Sequence, residues 1–129
     1  MSTLSIHHDP DNQILIVKRT GILDALKSMA NLDEILEAMR QKEVNRVLVD
    51  HRETEMKADT TSVFEVGYNL TNSERAALLV HKLALLYAFE KDDPKVEHYR
   101  FFEAMLLNRG FNVRLFWGDS QPAIDWLLE

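Results

Sequence analysis

The sequence predicts a single α/β domain, spanning residues 1–129, that contains a mixed sheet of about five strands and about four helices. Two observations lead to this prediction. Short runs of apolar, often β-branched residues alternate with longer stretches in which apolar residues recur every three or four positions, as in parallel strands joined by helices. Near the N-terminus, two strand-like runs flank a dense cluster of turn-forming residues, which indicates a β-hairpin. The predicted order is β-β-α-β-α-β-α-β-α.

The first half of the chain supplies the hairpin and the first crossover. Strand-like runs at residues 3–8 and 13–19 flank the turn-forming residues Asp9, Pro10, Asp11 and Asn12. A helical pattern follows over residues 25–39, because apolar residues recur there at steps of three and four. Residues 46–50 then form a compact β-branched run, typical of a buried parallel strand. Strand, helix and strand in this order predict a right-handed βαβ unit.

The middle of the chain is predicted as loop, helix and strand. Residues 51–58 are polar and are predicted to form a loop, and residues 59–70 carry apolar positions at helical spacing. The short apolar run at 76–80 predicts the third parallel strand. Residues 83–89 are apolar without a clear period, so we leave them open between a turn of helix and a loop.

The C-terminal third has clearer boundary signals. Asp92, Asp93 and Pro94 are residues that favour a helix start, and Gly110 is suited to cap the end of a helix at Arg109. A strand is predicted over residues 111–117. A last short helix is expected to begin near residues 119–122, at a second proline.

Composition excludes several classes of function. The chain of 129 residues has no cysteine, which excludes disulfides, thiolate metal sites and thiol catalysis. Its net charge of -6 disfavours binding to nucleic acid or to anionic membranes. No apolar stretch is long enough to span a bilayer, and the first residues lack the pattern of a signal peptide. We therefore expect a cytoplasmic protein without a membrane span.

Polar residues that follow two of the predicted strands could form a site. Asp50 and His51 come at the end of the strand at 46–50, and His81 follows the strand predicted at 76–80. Adjacent parallel strands would bring the three side chains to one rim of the sheet, where a carboxylate and two imidazoles could bind a metal or exchange protons. No ligand-spacing motif supports this, so the favoured interpretation is that they are polar strand-end residues facing water. We predict no bound metal and no cofactor.

A cluster of hydroxyl residues lies at the predicted start of the second helix. The cluster consists of Asp59, Thr60, Thr61 and Ser62. The simplest interpretation is helix capping by one of these side chains. The same position also favours a phosphate group, since free N–H groups and the helix dipole both attract negative charge there.

The chain resembles the STAS domains, whose fold is that of the SpoIIAA anti-sigma factor antagonists, and in particular the small stand-alone SpoIIAA-like or STAS/SEC14-type bacterial proteins. The resemblance extends over nearly the whole chain. Its most telling parts are Arg-Val-Leu-Val-Asp at 46–50, Phe-Asn-Val-Arg-Leu-Phe at 111–116 and Ala-Ile-Asp-Trp-Leu at 123–127.

The resemblance implies a protein switch. Antagonists of this family carry Asp-Ser-Ser-Gly or Asp-Ser-Thr-Gly at the start of the helix after the central strand, and a kinase phosphorylates the first hydroxyl residue. Asp59 matches the aspartate, Thr60 lies at the phosphorylated position, and Ser62 replaces the glycine. The resemblance therefore implies that these residues contribute to a surface that binds a protein partner.

Three functions remain open, and they are ranked. The first is a non-enzymatic regulatory or protein-interaction domain. The second, implied by the SEC14-like resemblance, is a carrier of a small apolar or lipid-like ligand, in a pocket lined by Leu85, Tyr87, Phe101 or Met105. The last is an enzyme that uses the rim of Asp50, His51 and His81. The aromatic content and the apolar residues 83–89 also lead us to expect a homodimer.

Overall fold

The computed structural model describes residues 3–23, 25–56, 73–88 and 96–129. These residues form a five-stranded sheet and four helices. The strands are β1 (Thr3–Asp9), β2 (Ile14–Leu23), β3 (Arg46–Met56), β4 (Lys82–Tyr87) and β5 (Val113–Trp117). The helices are α1 (Ala25–Lys42), α2 (Glu74–Leu79), α3 (Val96–Asn108) and α4 (Gln121–Leu127).

The strand order is sequential, β1-β2-β3-β4-β5. β1 pairs antiparallel with β2, and every other neighbouring pair is parallel. The turn between β1 and β2 is fixed by the Asp9 carboxylate, which accepts hydrogen bonds from the backbone N–H groups of Asp11 and Asn12. These observations confirm the predicted α/β class, the N-terminal hairpin and the parallel crossovers.

The two faces of the sheet are covered unequally. Sequential parallel strands joined by right-handed crossovers place all the connecting helices on one face. The larger core accordingly combines residues of the sheet with Leu36 of α1, Ala76 of α2 and Leu106 of α3. α4 follows the last strand and packs on the other face, where Ala123 and Leu127 meet a smaller core.

One predicted strand is wrong. Residues 76–80 were expected to be a strand, but residues 74–79 form α2, which begins at Ser73, whose hydroxyl accepts a hydrogen bond from the backbone N–H of Ala76. Leu78, in the middle of this short apolar run, is exposed. The strand is the next apolar run, β4, which the sequence left open between helix and loop.

β4 shows why the two runs were confused. All six of its residues are buried, because it is a central strand covered on both faces. A strand of this kind has no alternation of polar and apolar residues by which it could be recognised. Its burial also removes the reason for which we expected a dimer, since these apolar residues are core and not surface. The dimer itself stays a prediction.

β3 is longer than predicted. Residues 51–56 were expected to form a loop, but they continue the strand as far as Met56 by pairing with the second half of β2. The pairing passes an irregularity at which His51 and Arg52 together oppose Arg19. An extra residue of this kind is a β-bulge, which bends the strand and redirects side chains.

The end of α3 is as predicted. Gly110 has a φ of 90°, a conformation that glycine adopts without strain. The N–H of Phe111 donates to the carbonyl oxygen of Leu106 and so closes the helix. The helix start expected at Asp92 to Pro94 and the helix expected at 59–70 lie outside the described residues.

Candidate functional site

The predicted hydroxyl cluster cannot be compared with the structure. Asp59, Thr60, Thr61 and Ser62 lie outside the described residues, so the capping and switch roles remain predictions. What the structure does describe is the strand that precedes them in the chain, which ends at Met56.

The structure separates His81 from the other two rim residues. In the parallel pairing of β3 with β4, Asp50 lies opposite Leu86, whereas His81 precedes Lys82, the first residue of β4. Four residues of strand span about 13 Å, so His81 and Asp50 lie toward opposite ends of the sheet. The expected three-residue rim is therefore not formed. The error follows from the strand predicted at 76–80, which would have placed His81 after a strand and not before one.

Asp50 is engaged by its near neighbour in the chain. Its carboxylate accepts three hydrogen bonds from Arg52, at 3.0 Å from the backbone N–H, 3.0 Å from Nε and 2.9 Å from a terminal guanidinium nitrogen. Burial acts to raise the pKa of Asp50, but the hydrogen bonds from Arg52 outweigh it and the pKa lies below its usual value. Arg52 also donates to the carbonyl oxygen of Gly118, which ties the bulge in β3 to the turn after β5.

His51 lies on the other face of the sheet from Asp50, as alternation along a strand requires. Its ring stacks on that of Tyr87, with centroids 5.2 Å apart and planes at 9°. Burial, aided by the positive charge of Arg19, lowers the pKa of His51 to about 3, against a smaller opposing effect of Asp50. The imidazole is therefore neutral at neutral pH. Its buried Nδ1 has no hydrogen-bond partner within the described part of the chain.

Arg19 is the member of this group that sequence reasoning missed. Its side chain is only 7% exposed. Burial lowers the pKa of Arg19, while the nearby Tyr87 acts in the opposite direction. A signal was present in the sequence, because Leu15, Val17 and Arg19 share one parity of β2, and the first two are core residues.

Two tyrosines complete the group. Burial raises the pKa of Tyr87 well above its usual value, and its ring lies 4.3 Å from that of Tyr99, at a tilt of 41°. We refer to Arg19, His51, Tyr87 and Tyr99 as the carboxyl-edge cluster, since the first three lie toward the carboxyl ends of β2, β3 and β4. Ligands of parallel α/β sheets bind at this edge.

The chemistry open to these groups is limited. A neutral imidazole with a pKa of about 3 is poorly matched to proton transfer near neutral pH, where a catalytic pKa close to 7 is most effective. The Asp50 carboxylate is committed to Arg52. Across residues 3–23, 25–56, 73–88 and 96–129, no three histidine or acidic side chains are grouped as a metal site would require.

The residues expected to line a ligand pocket do not share one environment. Leu85 and Tyr87 are buried in the larger core, Met105 is partly buried, and Phe101 is exposed on α3. Among the described residues, no helix is both long enough and apolar enough to cross a membrane.

The sequence matches no known family profile and no curated protein. The fold, however, is similar to solved structures over its whole length. An anti-sigma factor antagonist from Mycobacterium paratuberculosis aligns with a TM-score of 0.57 and 10% identity, covering 100% of this chain and 96% of that one. An uncharacterized protein from Shewanella loihica PV-4, described as having a SpoIIAA-like fold, aligns with a TM-score of 0.59 and 15% identity, covering 98% and 93%. The chain therefore has a SpoIIAA-like fold, as the sequence resemblance implied.

Proposed function

We propose that this SpoIIAA-like domain is a non-enzymatic regulator that binds another protein, and that phosphorylation of Thr60 controls the binding. The observation that carries the proposal is the alignment with an anti-sigma factor antagonist along essentially the full length of both chains. The residues Asp59, Thr60, Thr61 and Ser62 provide a matching candidate switch, with an aspartate directly before the hydroxyl residue.

The position of this segment in the chain supports the proposal. Asp59 is the third residue after Met56, with which β3 ends, and β3 is the central strand of the sheet. The family's switch also follows the central strand. A phosphate added at a helix start gains from the free N–H groups and the dipole, although here it would lie next to the negative charge of Asp59.

The geometry of the carboxyl edge is consistent with a role that involves no catalysis. Its imidazole is neutral, its carboxylate is paired, and its third expected residue, His81, lies at the other end of β4. An interaction domain needs none of these groups to react.

The test compares Thr60→Glu with Thr60→Ala. The tagged wild-type protein is purified from its own host, its main bound protein is identified and produced, and binding is measured by calorimetry. Because glutamate adds negative charge at the switch, we expect Thr60→Glu to weaken binding by on the order of tenfold, and Thr60→Ala to change it by less than about threefold. Thr61→Glu is the matched control, since it adds the same charge one residue away.

Stability is measured on the same variants. If Thr60 caps the helix, Thr60→Ala lowers the free energy of unfolding by about 0.5–2 kcal/mol, whereas Thr60→Glu leaves the domain folded. Equal binding by wild type, Thr60→Glu and Thr61→Glu would contradict the proposed switch.

Native mass spectrometry of the host-purified protein provides an independent check. A mass increase of one phosphate, assigned to Thr60 by fragmentation, supports the switch. A co-purifying lipid-like molecule without a protein partner would instead support the ligand-carrier hypothesis.

A further inference from the structure

The sheet has two edges, and their strands differ in how well they are protected from pairing with another chain. At one edge, β5 has only five residues, and the backbone N–H of Leu115 donates to the carboxylate of Glu103 at 3.1 Å. An α3 side chain thus occupies a backbone group that a further strand would need. Arg114 adds an exposed charge to the same strand. Short edge strands, charges and covered backbone groups all discourage association between sheets.

The strand at the other edge, β1, has none of these protections. It pairs with β2 in an uninterrupted register from Thr3 to Asp9, so it contains no bulge. It includes no lysine, arginine or proline, and its only charged residue is Asp9, at its end. Among the described residues, no strand pairs with its outer side. A regular strand of seven residues with these properties is a template for a further strand.

The sequence of β1 is suited to pairing with itself. A two-fold axis normal to the sheet makes two copies antiparallel, and side chains of directly opposed residues then lie on the same face. Only registers in which the two residue numbers sum to an even number satisfy this condition. The register centred on Ile6 is the one that pairs all seven residues, because Ile6 is the middle residue of β1.

In this register the opposed side chains are compatible. Ile6 meets Ile6 of the second copy, and Leu4 lies opposite His8, so the partly buried apolar side chains of β1 extend the larger core from one copy toward the other. On the opposite face Ser5 lies opposite His7, and Thr3 opposite Asp9. No pair brings together two acidic or two basic side chains of the kind that are always charged. An isologous interface requires self-complementarity of this kind.

We propose that two copies of this chain associate through antiparallel pairing of their β1 strands, centred on Ile6, to form a continuous ten-stranded sheet. This interface deepens the expectation of a homodimer, and it replaces the apolar run at 83–89, which is core, as its basis. It leaves the carboxyl ends of β3 and β4 outside the contact, so it is independent of the proposed Thr60 switch.

The first test uses opposed charges on the exposed pair Ser5 and His7. In the double variant Ser5→Lys/His7→Lys, each new lysine lies opposite a lysine of the second copy, and the symmetry repeats the repulsion. In Ser5→Lys/His7→Glu, the same positions form two opposite-charge pairs. We expect the first variant to weaken the dimer by on the order of tenfold in sedimentation equilibrium, and the second to restore or strengthen it. Arg114→Glu, an exposed change on the other edge strand, is the control and should have no effect.

The second test uses the absence of cysteine from the chain. A cysteine at position 6 lies opposite its own copy at about 4.5–5.5 Å between Cα atoms, which permits a disulfide. Cysteines at position 5 of the two copies are offset by two residues and lie roughly 8 Å apart, beyond that range. Ile6→Cys should therefore form a disulfide-linked dimer under mild oxidation, while Ser5→Cys should not.

Three results would overturn the proposal. One is a wild-type protein that sediments only as the 15.0 kDa monomer at up to hundreds of micromolar. Another is a dimer whose dissociation constant is the same for the two charge variants, which would place the interface elsewhere. The third is equal crosslinking of Ile6→Cys and Ser5→Cys. Circular dichroism of each variant establishes that the hairpin is folded, and phosphorylation-dependent binding at Thr60 is unaffected by any of these outcomes.

Discussion

Neighbouring residues of β3 have very different surroundings because a strand alternates its faces. Asp50 accepts hydrogen bonds from Arg52, whereas His51 turns to the other face and stacks on Tyr87. Their adjacency in sequence suggested a shared chemistry, but only a residue of matching parity on a neighbouring strand can share a face with either one. Arg19 meets this condition for His51, as its effect on the pKa of His51 shows.

The lowered pKa of His51 leads to a prediction about acid stability. The folded state resists protonation down to about pH 3, while the unfolded chain takes up a proton near the ordinary value of 6.5. His51 therefore contributes fully to stability above about pH 6.5, and this contribution is lost as the pH falls from 6.5 toward 3. We expect His51→Phe, which keeps a ring against Tyr87, to reduce the slope of the free energy of unfolding against pH by up to about 1 kcal/mol per pH unit in this window.

Urea denaturation at several pH values measures the slope, and NMR titration of the His51 ring measures its pKa directly. A ring that titrates near pH 6.5, or parallel stability curves for wild type and His51→Phe, would show that the imidazole is not sequestered. Folding of both proteins at pH 7 is the necessary control.

The last helix depends on a buried lysine. Lys82 is 8% exposed, and its ammonium group donates to the backbone carbonyl oxygens of Trp126 and Glu129 at 2.9 and 3.0 Å. The same group lies 5.1 Å from the centroid of the Trp126 ring. A helix as short as α4 gains little from its own hydrogen bonds and is held by tertiary contacts. A cation at its C-terminal end also opposes the negative end of its dipole.

We predict that Lys82→Met, which keeps the length of the side chain, lowers the free energy of unfolding by about 1–2 kcal/mol, because the carbonyl oxygens lose a charged donor. Urea denaturation measures this loss, and amide exchange should show faster opening of α4. Lys42→Met, at an exposed residue at the end of α1, is the matched control and should change stability by less than about 0.5 kcal/mol. Equal effects of the two substitutions would mean that Lys82 does not hold the helix.

α2 and β4 show the limit of local pattern at the scale of elements. Both derive from short apolar runs that follow one another in the chain, and both were assigned by composition alone. Ser73 and Glu74 supply a helix start for the first run, and this signal could have been used. The second run has no signal of its own, because a strand buried on both faces is recognised only once its neighbours are known.

Across the whole molecule, stability should be greatest in the centre of the sheet. β4 is paired on both sides and buried on both faces, whereas β1 has one strand partner among the described strands. Elements that are buried in this way open only when the entire domain unfolds.

We therefore predict that backbone amides of β4, such as those of Leu85 and Leu86, exchange with solvent at the free energy of global unfolding, and that amides of β1 exchange through smaller openings. Native-state hydrogen exchange measured at several urea concentrations distinguishes the two. Exchange of the β4 amides at a free energy well below the global value would contradict the arrangement of the two cores around this strand.

The sequence by itself determined the α/β class, the N-terminal hairpin, the extent of α1 and the cap at Gly110. These features depend on local signals, namely turn residues, helical periodicity sustained over many residues and a glycine where φ is positive. The tertiary structure decided which apolar run became β4, how far β3 extends, and which polar side chains meet. His81 and Arg19 exchanged their expected roles for this reason: which end of the sheet a residue occupies, and which strand lies beside it, depend on pairing between segments about thirty residues apart, and no local pattern in the chain encodes that pairing.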